Sequence, residues 1–253
     1  MKATVAAILT ICSLTGTALA AERQSCEIPG YLLFDGNELK HVAEVVAKDH
    51  RLNIVVVGTG SSILAGPEGP RSAYPARLEA TLRQRLPGIT VKVVTLVRTR
   101  LTSEDLAQGM AKLLVDEKPD LVVWQTGTID AMRRVDPDNF RIALEDGVDT
   151  LRKGGADVIL MNQQYSPRTE TMITLGPYVD GMRVVARERE VPLFDRLSIM
   201  RHWSESGTFD LYATGKDNVL AHRVHDCIGR GIAALVIEAA HLKAVYNNQK
   251  AGQ

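Results

Sequence analysis

Short runs of β-branched and other apolar residues recur along the chain, separated by stretches whose apolar residues follow helical spacing. The runs read as buried β-strands and lie at residues 54–57, 91–97, 121–124, 156–162 and 191–195. The stretches between them read as amphipathic helices and lie at residues 37–49, 74–88, from 102 onward, from 136 to about 154, at about 177–189 and at about 219–242. Strands and helices therefore alternate along the chain.

Boundary residues support these elements. Thr102 precedes one helical stretch as a cap, and Asp136 followed by Pro137 opens another. Pro87 and Gly88 stop a third. Alternating strands and helices predict a parallel sheet covered on both faces. No repeat or linker interrupts the pattern, so residues 21–253 are expected to form a single, doubly wound α/β domain of flavodoxin-like order, with three layers α/β/α.

Candidate chemistry gathers where the predicted strands end. Residues 55–66, VVVGTGSSILAG, place Ser61 and Ser62 directly after the first strand, at the sheet edge where open α/β folds bind ligands. The loop at residues 125–130 follows the third strand, and Gln163, Gln164, Tyr165 and Arg168 follow the fourth. The sequence therefore predicts a polar site at one edge of the sheet.

The first 20 residues have an early Lys2, an apolar stretch and the small residues Ala18 and Ala20 near their end. This pattern is typical of a cleaved secretory signal. We expect a mature chain that begins near residue 21, has no membrane span and is periplasmic or secreted. An uncleaved anchor is the alternative.

The balance of charged residues bears on which partners the protein could bind. Lys and Arg together number 30, as do Asp and Glu, which gives no reason to expect nucleic acid or an anionic membrane as a partner. Of the three cysteines, Cys26 and Cys227 remain after signal removal, and in an oxidising compartment we expect them to form a disulfide. Two buried free thiols are the alternative. The oligomeric state is left open.

Several familiar motifs are absent. The Gly-x-Ser-x-Gly nucleophile elbow does not occur around Ser61 or Ser62, and no cysteine pair has zinc-site spacing. The dinucleotide fingerprint fails because Ile63 stands where its third glycine belongs, and the phosphate loop lacks its Gly-Lys-Ser/Thr end. We therefore expect no cofactor. A glycine-rich anion cradle for a nucleotide is a weaker hypothesis, which a rise in melting temperature with nucleotides would support.

The glycine loop resembles the first block of the SGNH (GDSL) hydrolases, esterases and lipases of flavodoxin-like fold. Their Gly-Asp-Ser-(Leu/Ile)-Thr block is similar to residues 60–64 with Gly66 following, and this match makes Ser62 the nucleophile. If Gly58 is taken as the glycine of the block, Ser61 becomes the nearest hydroxyl. The resemblance, which spans roughly residues 52–240, implies a serine ester hydrolase.

In the later blocks the flanking residues match the family, but the functional residues differ. Residues 119–130 resemble the third block, but Ile129 stands where an oxyanion-binding Asn belongs, and no glycine follows the second strand. In the last block Asp217 is followed at the third place by Leu220. Neither His222 nor His225 stands at the family's position for the base, and either is a possible substitute for it. The residues left to hold an oxyanion or substrate are Gly60, Gly127, Gln125 and Asp130.

Two functions remain open. The first is an exported serine ester hydrolase acting on a small acyl ester or an acetylated carbohydrate, with Ser62 or Ser61 as nucleophile, His222 as base and Asp217 as its orienter. The second is a catalytically impaired relative that binds a small polar or glycan ligand. In that case the serines cap a helix, Asp130 bonds loop amides and the histidines face solvent.

Overall fold

The computed structural model describes residues 26–213 and 218–244. Within them, one parallel sheet has the strand order β2-β1-β3-β4-β5. The strands are β1 (Arg51–Gly58), β2 (Thr90–Val97), β3 (Leu121–Gln125), β4 (Asp157–Met161) and β5 (Leu193–Phe194). This order is flavodoxin-like, and it confirms the predicted doubly wound α/β fold. The order turns at β1 and β3, which is where such sheets open a ligand crevice.

Helices of very different length precede, connect and follow the strands. The longer ones are α2 (Lys40–Asp49), α4 (Tyr74–Arg85), α5 (Ser103–Glu117), α7 (Pro137–Lys153), α9 (Gly176–Glu188), α10 (Arg196–Glu205) and α11 (Val219–Ala239). Single-turn or slightly longer helices are α1 (Gly30–Leu33), α3 (Gly69–Ser72), α6 (Thr128–Arg133) and α8 (Pro167–Met172). A 3₁₀ turn covers Gly60–Ser62.

The predicted helix starts have the expected local chemistry. Thr102 caps α5 by accepting from the backbone of Asp105, whose carboxylate in turn accepts from the Thr102 backbone. Asp136 caps α7, with Pro137 in its first turn. These contacts satisfy backbone donors that a helix start leaves unpaired. The sequence did not predict α10, which begins directly after the short strand β5, or the short helices α1, α3, α6 and α8.

The last helix packs closely on α4 because Gly229 has no side chain. A Cβ at Gly229 would lie 2.6 Å from the Cβ of Arg77 and 2.8 Å from the Tyr74 carbonyl oxygen. Larger residues would therefore push α11 away from α4. This contact brings the first turns of α11, which carry His222 and His225, beside the start of α4.

A disulfide joins Cys26 to Cys227, with 5.3 Å between their Cα atoms. The predicted pairing is therefore confirmed, and it fastens the start of the described chain to α11. The indole of Trp203 adds a hydrogen bond of 3.0 Å to the Glu27 carbonyl.

Three predictions concern residues outside the described ranges or their division into domains. The signal at residues 1–20 and the role of Asp217 both lie outside the described residues, and the single domain at 21–253 stays a prediction. Across the ranges that the structure describes, none of the helices combines the length and apolar character needed to cross a bilayer.

Candidate active site

A cleft of ≈ 410 Å³ opens at the carboxyl edge of the sheet. Its walls come from the segments that follow β1, β2, β3 and β4, and from the region around α8. The lining residues are Thr59, Gly60, Ser61, Thr99, Arg100, Thr128, Ile129, Gln163, Gln164, Ser166, Thr169 and Leu175. The cleft therefore lies where the sequence predicted a polar site.

The two serines of the glycine loop face different surroundings. Ser61 is partly exposed and lines the cleft. Ser62 is fully buried and points back toward β1, where a Cβ at Gly58 would lie 2.0 Å from the Ser62 Oγ. Gly58 thus leaves the space that the Ser62 hydroxyl occupies. Only the first of these two hydroxyls is presented to a ligand in the cleft.

Gln125 connects the buried hydroxyls. Its Oε1 accepts hydrogen bonds from Ser62 Oγ at 2.7 Å and from the Tyr74 hydroxyl at 2.9 Å. Its Nε2 donates to Thr59 Oγ1 at 2.8 Å and to Ser61 Oγ at 2.9 Å. Since each hydroxyl carries one proton and an amide oxygen is a very weak base, Ser62 is held without being activated.

Tyr74 lies beside Ser62, with 3.0 Å between the two hydroxyl oxygens. Burial raises the pKa of Tyr74, and the nearby Arg196 charge only partly opposes this shift. Tyr74 therefore stays protonated and acts as a hydrogen-bond donor to Gln125.

Arg196 supplies a second donor to Ser61. This residue begins α10 and is fully buried, and its Nη1 donates to Ser61 Oγ at 3.2 Å. Its Nε and Nη2 have no hydrogen-bond partner among the described residues. Burial lowers the pKa of Arg196 to about 10, so the guanidinium remains charged at neutral pH. Two donors on Ser61 Oγ favour its deprotonated form.

The histidines of α11 lie behind this group. His225 Nδ1 accepts from the Tyr74 backbone N–H at 3.1 Å, which assigns the ring proton to Nε2 when the ring is neutral. His222 Nε2 is buried and has no partner among the described residues. The hydrogen bonds that the described residues make to the two serine hydroxyls come from Thr59, Tyr74, Gln125 and Arg196, and none comes from a histidine.

His225 makes the stability of the protein depend on pH. Burial lowers the pKa of His225 from 6.5 to about 4, and the Arg196 and His222 charges act in the same direction. The unfolded chain binds this proton more readily than the folded one. The contribution of neutral His225 to the free energy of unfolding is therefore fully present above pH 6.5 and is lost as the pH falls toward 4. We expect this residue to reduce the free energy of unfolding by about 3 kcal/mol between pH 7 and pH 4.

Urea unfolding at several pH values tests this expectation, with His225→Asn as the comparison because asparagine keeps an acceptor for the Tyr74 N–H. The variant should lose about 3 kcal/mol less stability than the wild type over the same pH range. Identical pH dependence in both proteins would show that His225 is not the titrating group.

The remaining predicted residues divide between the cleft and its support. Gly60 lines the cleft, whereas Gly127 precedes α6 with a φ of 94°, a conformation that favours glycine. A Cβ there would lie 2.1 Å from Gln163 Nε2. Asp130 is fully buried and accepts from the Ser103 N–H at 2.9 Å and from the Ser103 hydroxyl at 2.8 Å. It therefore holds the start of α5 and does not line the cleft.

Sequence reasoning missed Tyr74, Thr59, Arg196 and Arg100. Tyr74 was included only in a helical stretch, and Arg100 only as part of a segment without glycine. Arg196 follows the predicted strand at 191–195, so its position at a strand's carboxyl end was a usable signal. Nothing in the sequence showed that this arginine would be buried against Ser61.

Comparisons with known proteins agree with this architecture. TesA is 21% identical, with a TM-score of 0.59, over 74% of this chain and 99% of that one. The acetylxylan esterase Axe2 from Geobacillus stearothermophilus is 20% identical, with a TM-score of 0.58, over 73% and 94%. The lipase/acylhydrolase from Enterococcus faecalis is 18% identical, with a TM-score of 0.57, over 77% and 99%.

At these identities the solved structures show a shared fold. No curated protein matches the chain. The model of the non-GDSL lipase-like family matches residues 25–242, which is most of the sequence. The chain belongs to the non-GDSL lipase-like family.

Proposed function

We propose that this protein is an exported serine ester hydrolase with Ser61 as its nucleophile, acting on a small acyl ester or an acetylated carbohydrate. One observation carries the proposal. Ser61 is the glycine-loop hydroxyl that lines the cleft, and its Oγ accepts hydrogen bonds from both Gln125 and Arg196. A nucleophilic serine needs access to the substrate and stabilisation of its oxygen, and both are present here.

We assign the nucleophile to Ser61, although the motif match alone favours Ser62. Ser62 is fully buried, and its proton is directed at the amide oxygen of Gln125. An attack by Ser62 would first require breaking a buried hydrogen-bond network. Ser61 keeps its own proton available, since its oxygen is mainly an acceptor in the contacts above.

The reaction follows the usual course of acyl transfer. Ser61 Oγ attacks the ester carbonyl while its proton passes to a base, and the carbonyl oxygen becomes an oxyanion. The base returns the proton to the departing alcohol, and water then hydrolyses the acyl-enzyme. We assign His222 as the base because its buried Nε2 has no partner among the described residues. The orienting role of Asp217 is carried over from the family resemblance.

Backbone amides are the proposed oxyanion donors. Gly60, at the start of the turn Gly60–Ser62, lines the cleft, and Gly127 directly precedes the lining residue Thr128. Ile129 stands where the family's side-chain donor belongs. Losing one such donor costs about 3–4 kcal/mol of transition-state stabilisation, so we expect slower hydrolysis than a complete donor set would give.

The substrate class rests on the size of the site and on related proteins. A cleft of ≈ 410 Å³ is in the range that small-molecule sites occupy. Axe2 is an acetylxylan esterase, and the Enterococcus protein is a lipase/acylhydrolase. Both activities are consistent with ester substrates for this chain. Export rests on the signal-like pattern of residues 1–20.

A second candidate is a non-catalytic binding protein that retains the cleft. The observation that favours it is that no histidine of the described residues hydrogen-bonds to Ser61 or Ser62. Catalytic hydrogen bonds are often loose without substrate, so the distinction requires an experiment.

Fluorophosphonate labelling separates the two candidates. A fluorophosphonate phosphonylates an activated serine: the serine oxygen bonds to phosphorus, fluoride leaves and the serine proton passes to the base. An enzyme should therefore gain one adduct per chain. Peptide mapping by mass spectrometry should place this adduct on Ser61, and His222→Ala should label far more slowly. A folded protein that stays unlabelled would support the binding protein, and an adduct on Ser62 would contradict the assignment of Ser61.

A further inference from the structure

Arg100 occupies an unusual place in the cleft wall. It lies between β2 and α5, lines the cleft and is exposed to solvent. Among the described residues it has no ion-pair or side-chain hydrogen-bond partner. The arginine therefore presents an unpaired positive charge to the space in front of Ser61.

The backbone of Arg100 is in the left-handed region, with a φ of 66°. A residue with a side chain pays about 1–2 kcal/mol for this conformation, which glycine adopts freely. The chain thus places a long cationic side chain where glycine would fold more easily. This backbone conformation does not identify a ligand, but it determines the direction in which the side chain leaves the backbone.

The charges around the cleft are predominantly positive. None of the described residues that line it is acidic. Arg196 adds a second positive charge from behind Ser61, where burial reduces its screening by water. Carboxylates on neighbouring segments are already engaged elsewhere: Asp130 accepts from Ser103, Asp195 pairs with Arg183 and Glu170 pairs with Arg201. A cleft with these charges attracts anions.

The position of Arg100 relative to Ser61 defines what it can reach. β2 and β1 are adjacent in the sheet, and neighbouring strands are about 4.8 Å apart. Arg100 and Ser61 follow these two strands, so the guanidinium can approach a group a few bonds from a carbonyl held at Ser61. Guanidinium binds carboxylate and phosphate oxygens with paired hydrogen bonds.

We propose that Arg100 is a specificity-determining residue that binds an anionic group, a carboxylate or a phosphate, carried by the ester substrate. This inference rests on the proposed function, because it names the substrate class of the same site. Three observations carry it. Arg100 in the cleft wall has no ion-pair or hydrogen-bond partner over residues 26–213 and 218–244, the described lining contains no acidic residue, and the Arg196 charge is buried behind Ser61.

Two esters that differ in charge test the inference. 4-Acetoxybenzoate and its methyl ester have the same acetyl group and the same ring, and only the first carries a carboxylate. The quantity to measure is the preference, the ratio of kcat/KM for the anionic ester to that for the neutral ester. Arg100→Gln should lower this ratio by about 10- to 50-fold, whereas Arg100→Lys should keep most of it.

Arg71→Gln provides a matched control. Arg71 is an arginine of α3 with a side chain that is 86% exposed, and it does not line the cleft. Its replacement should leave the preference unchanged. The preference of the wild type should also fall as salt is added, because the attraction is electrostatic. An equal preference in the wild type and in Arg100→Gln would overturn the inference while leaving ester hydrolysis intact.

A binding measurement distinguishes failure of the inference from failure of the proposed function. If the wild type hydrolyses neither ester, the proposed function fails, and calorimetric titration of Ser61→Ala with 4-acetoxybenzoate then decides the role of Arg100. Binding that Arg100→Gln weakens by tenfold or more would support the anion site. Absence of binding, or binding unaffected by Arg100→Gln, would overturn it.

Discussion

Replacing Ser61 with alanine is expected to lower kcat/KM for ester hydrolysis by roughly 10³-fold or more. The reason is that the variant removes the attacking oxygen, and water must then react without a covalent intermediate. The variant should fold, because Ser61 is partly exposed at the cleft and alanine fits its 3₁₀ turn. Steady-state hydrolysis of a small acetate ester, with circular dichroism to confirm folding, measures the effect.

Ser62→Ala is the matched control for this prediction. Ser62 is one residue away and has the same hydroxyl, but it is fully buried against Gln125 and Tyr74. Its loss should cost about 1–2 kcal/mol of stability, while kcat/KM falls by at most about tenfold. Larger catalytic loss in Ser62→Ala than in Ser61→Ala would return the nucleophile to Ser62, the residue that the motif match selects.

Replacing Arg196 with methionine is expected to change activity and stability in opposite directions. The Arg196 charge is fully buried without a carboxylate partner among the described residues, and burying a charge costs free energy. An apolar side chain of similar length should therefore raise the free energy of unfolding by about 1–3 kcal/mol. Since Ser61 Oγ also loses a charged donor, kcat/KM should fall by about 100-fold.

Urea unfolding and ester hydrolysis measured on the same preparations test this opposition. Arg196→Lys is the comparison variant, because lysine keeps the charge and loses the fixed fork of donors. It should regain part of the activity and none of the added stability. A methionine variant that unfolds several kcal/mol more easily would show that the Arg196 hydrogen bonds hold the fold together.

The expected trade of stability for activity at Arg196 also bears on why the protein keeps this arginine. A buried cation that has no carboxylate partner among the described residues is an unfavourable feature of a fold, and natural chains retain such features where activity benefits. Arg196 and Gln125 direct their donors at the same oxygen, Ser61 Oγ. This arrangement favours the deprotonated serine that attacks a carbonyl, which is the physical basis of the proposed function.

The sequence was sufficient for the architecture because local patterns determine it. β-Branched runs at 54–57 and 121–124 became β1 and β3, and the caps at Thr102 and Asp136 opened α5 and α7. The parallel arrangement followed from the alternation of strands with helices, since each crossover returns the chain to the same end of the sheet. The Cys26–Cys227 pairing was also correctly predicted from cysteine count and compartment.

The candidate site was predicted in position and only partly in composition. The glycine loop, Gln125 and the residues after β4 meet at one sheet edge because parallel strands all end there. The motif pointed to Ser62, and spacing alone did not show that its hydroxyl turns inward. That orientation depends on the space above Gly58 and on acceptors from β3 and α4, which are distant in sequence.

By itself, the sequence determined which strands and helices form and at which sheet edge polar residues gather, because both follow from residue periodicity and from the direction of the chain. Only the tertiary structure decided which serine faces the cleft, that Arg196 is buried behind it, and that Arg100 finds no ion-pair or hydrogen-bond partner within the part of the chain that is described. Burial and hydrogen-bond pairing are properties of residues brought together from separate elements, and no local pattern of the chain encodes them.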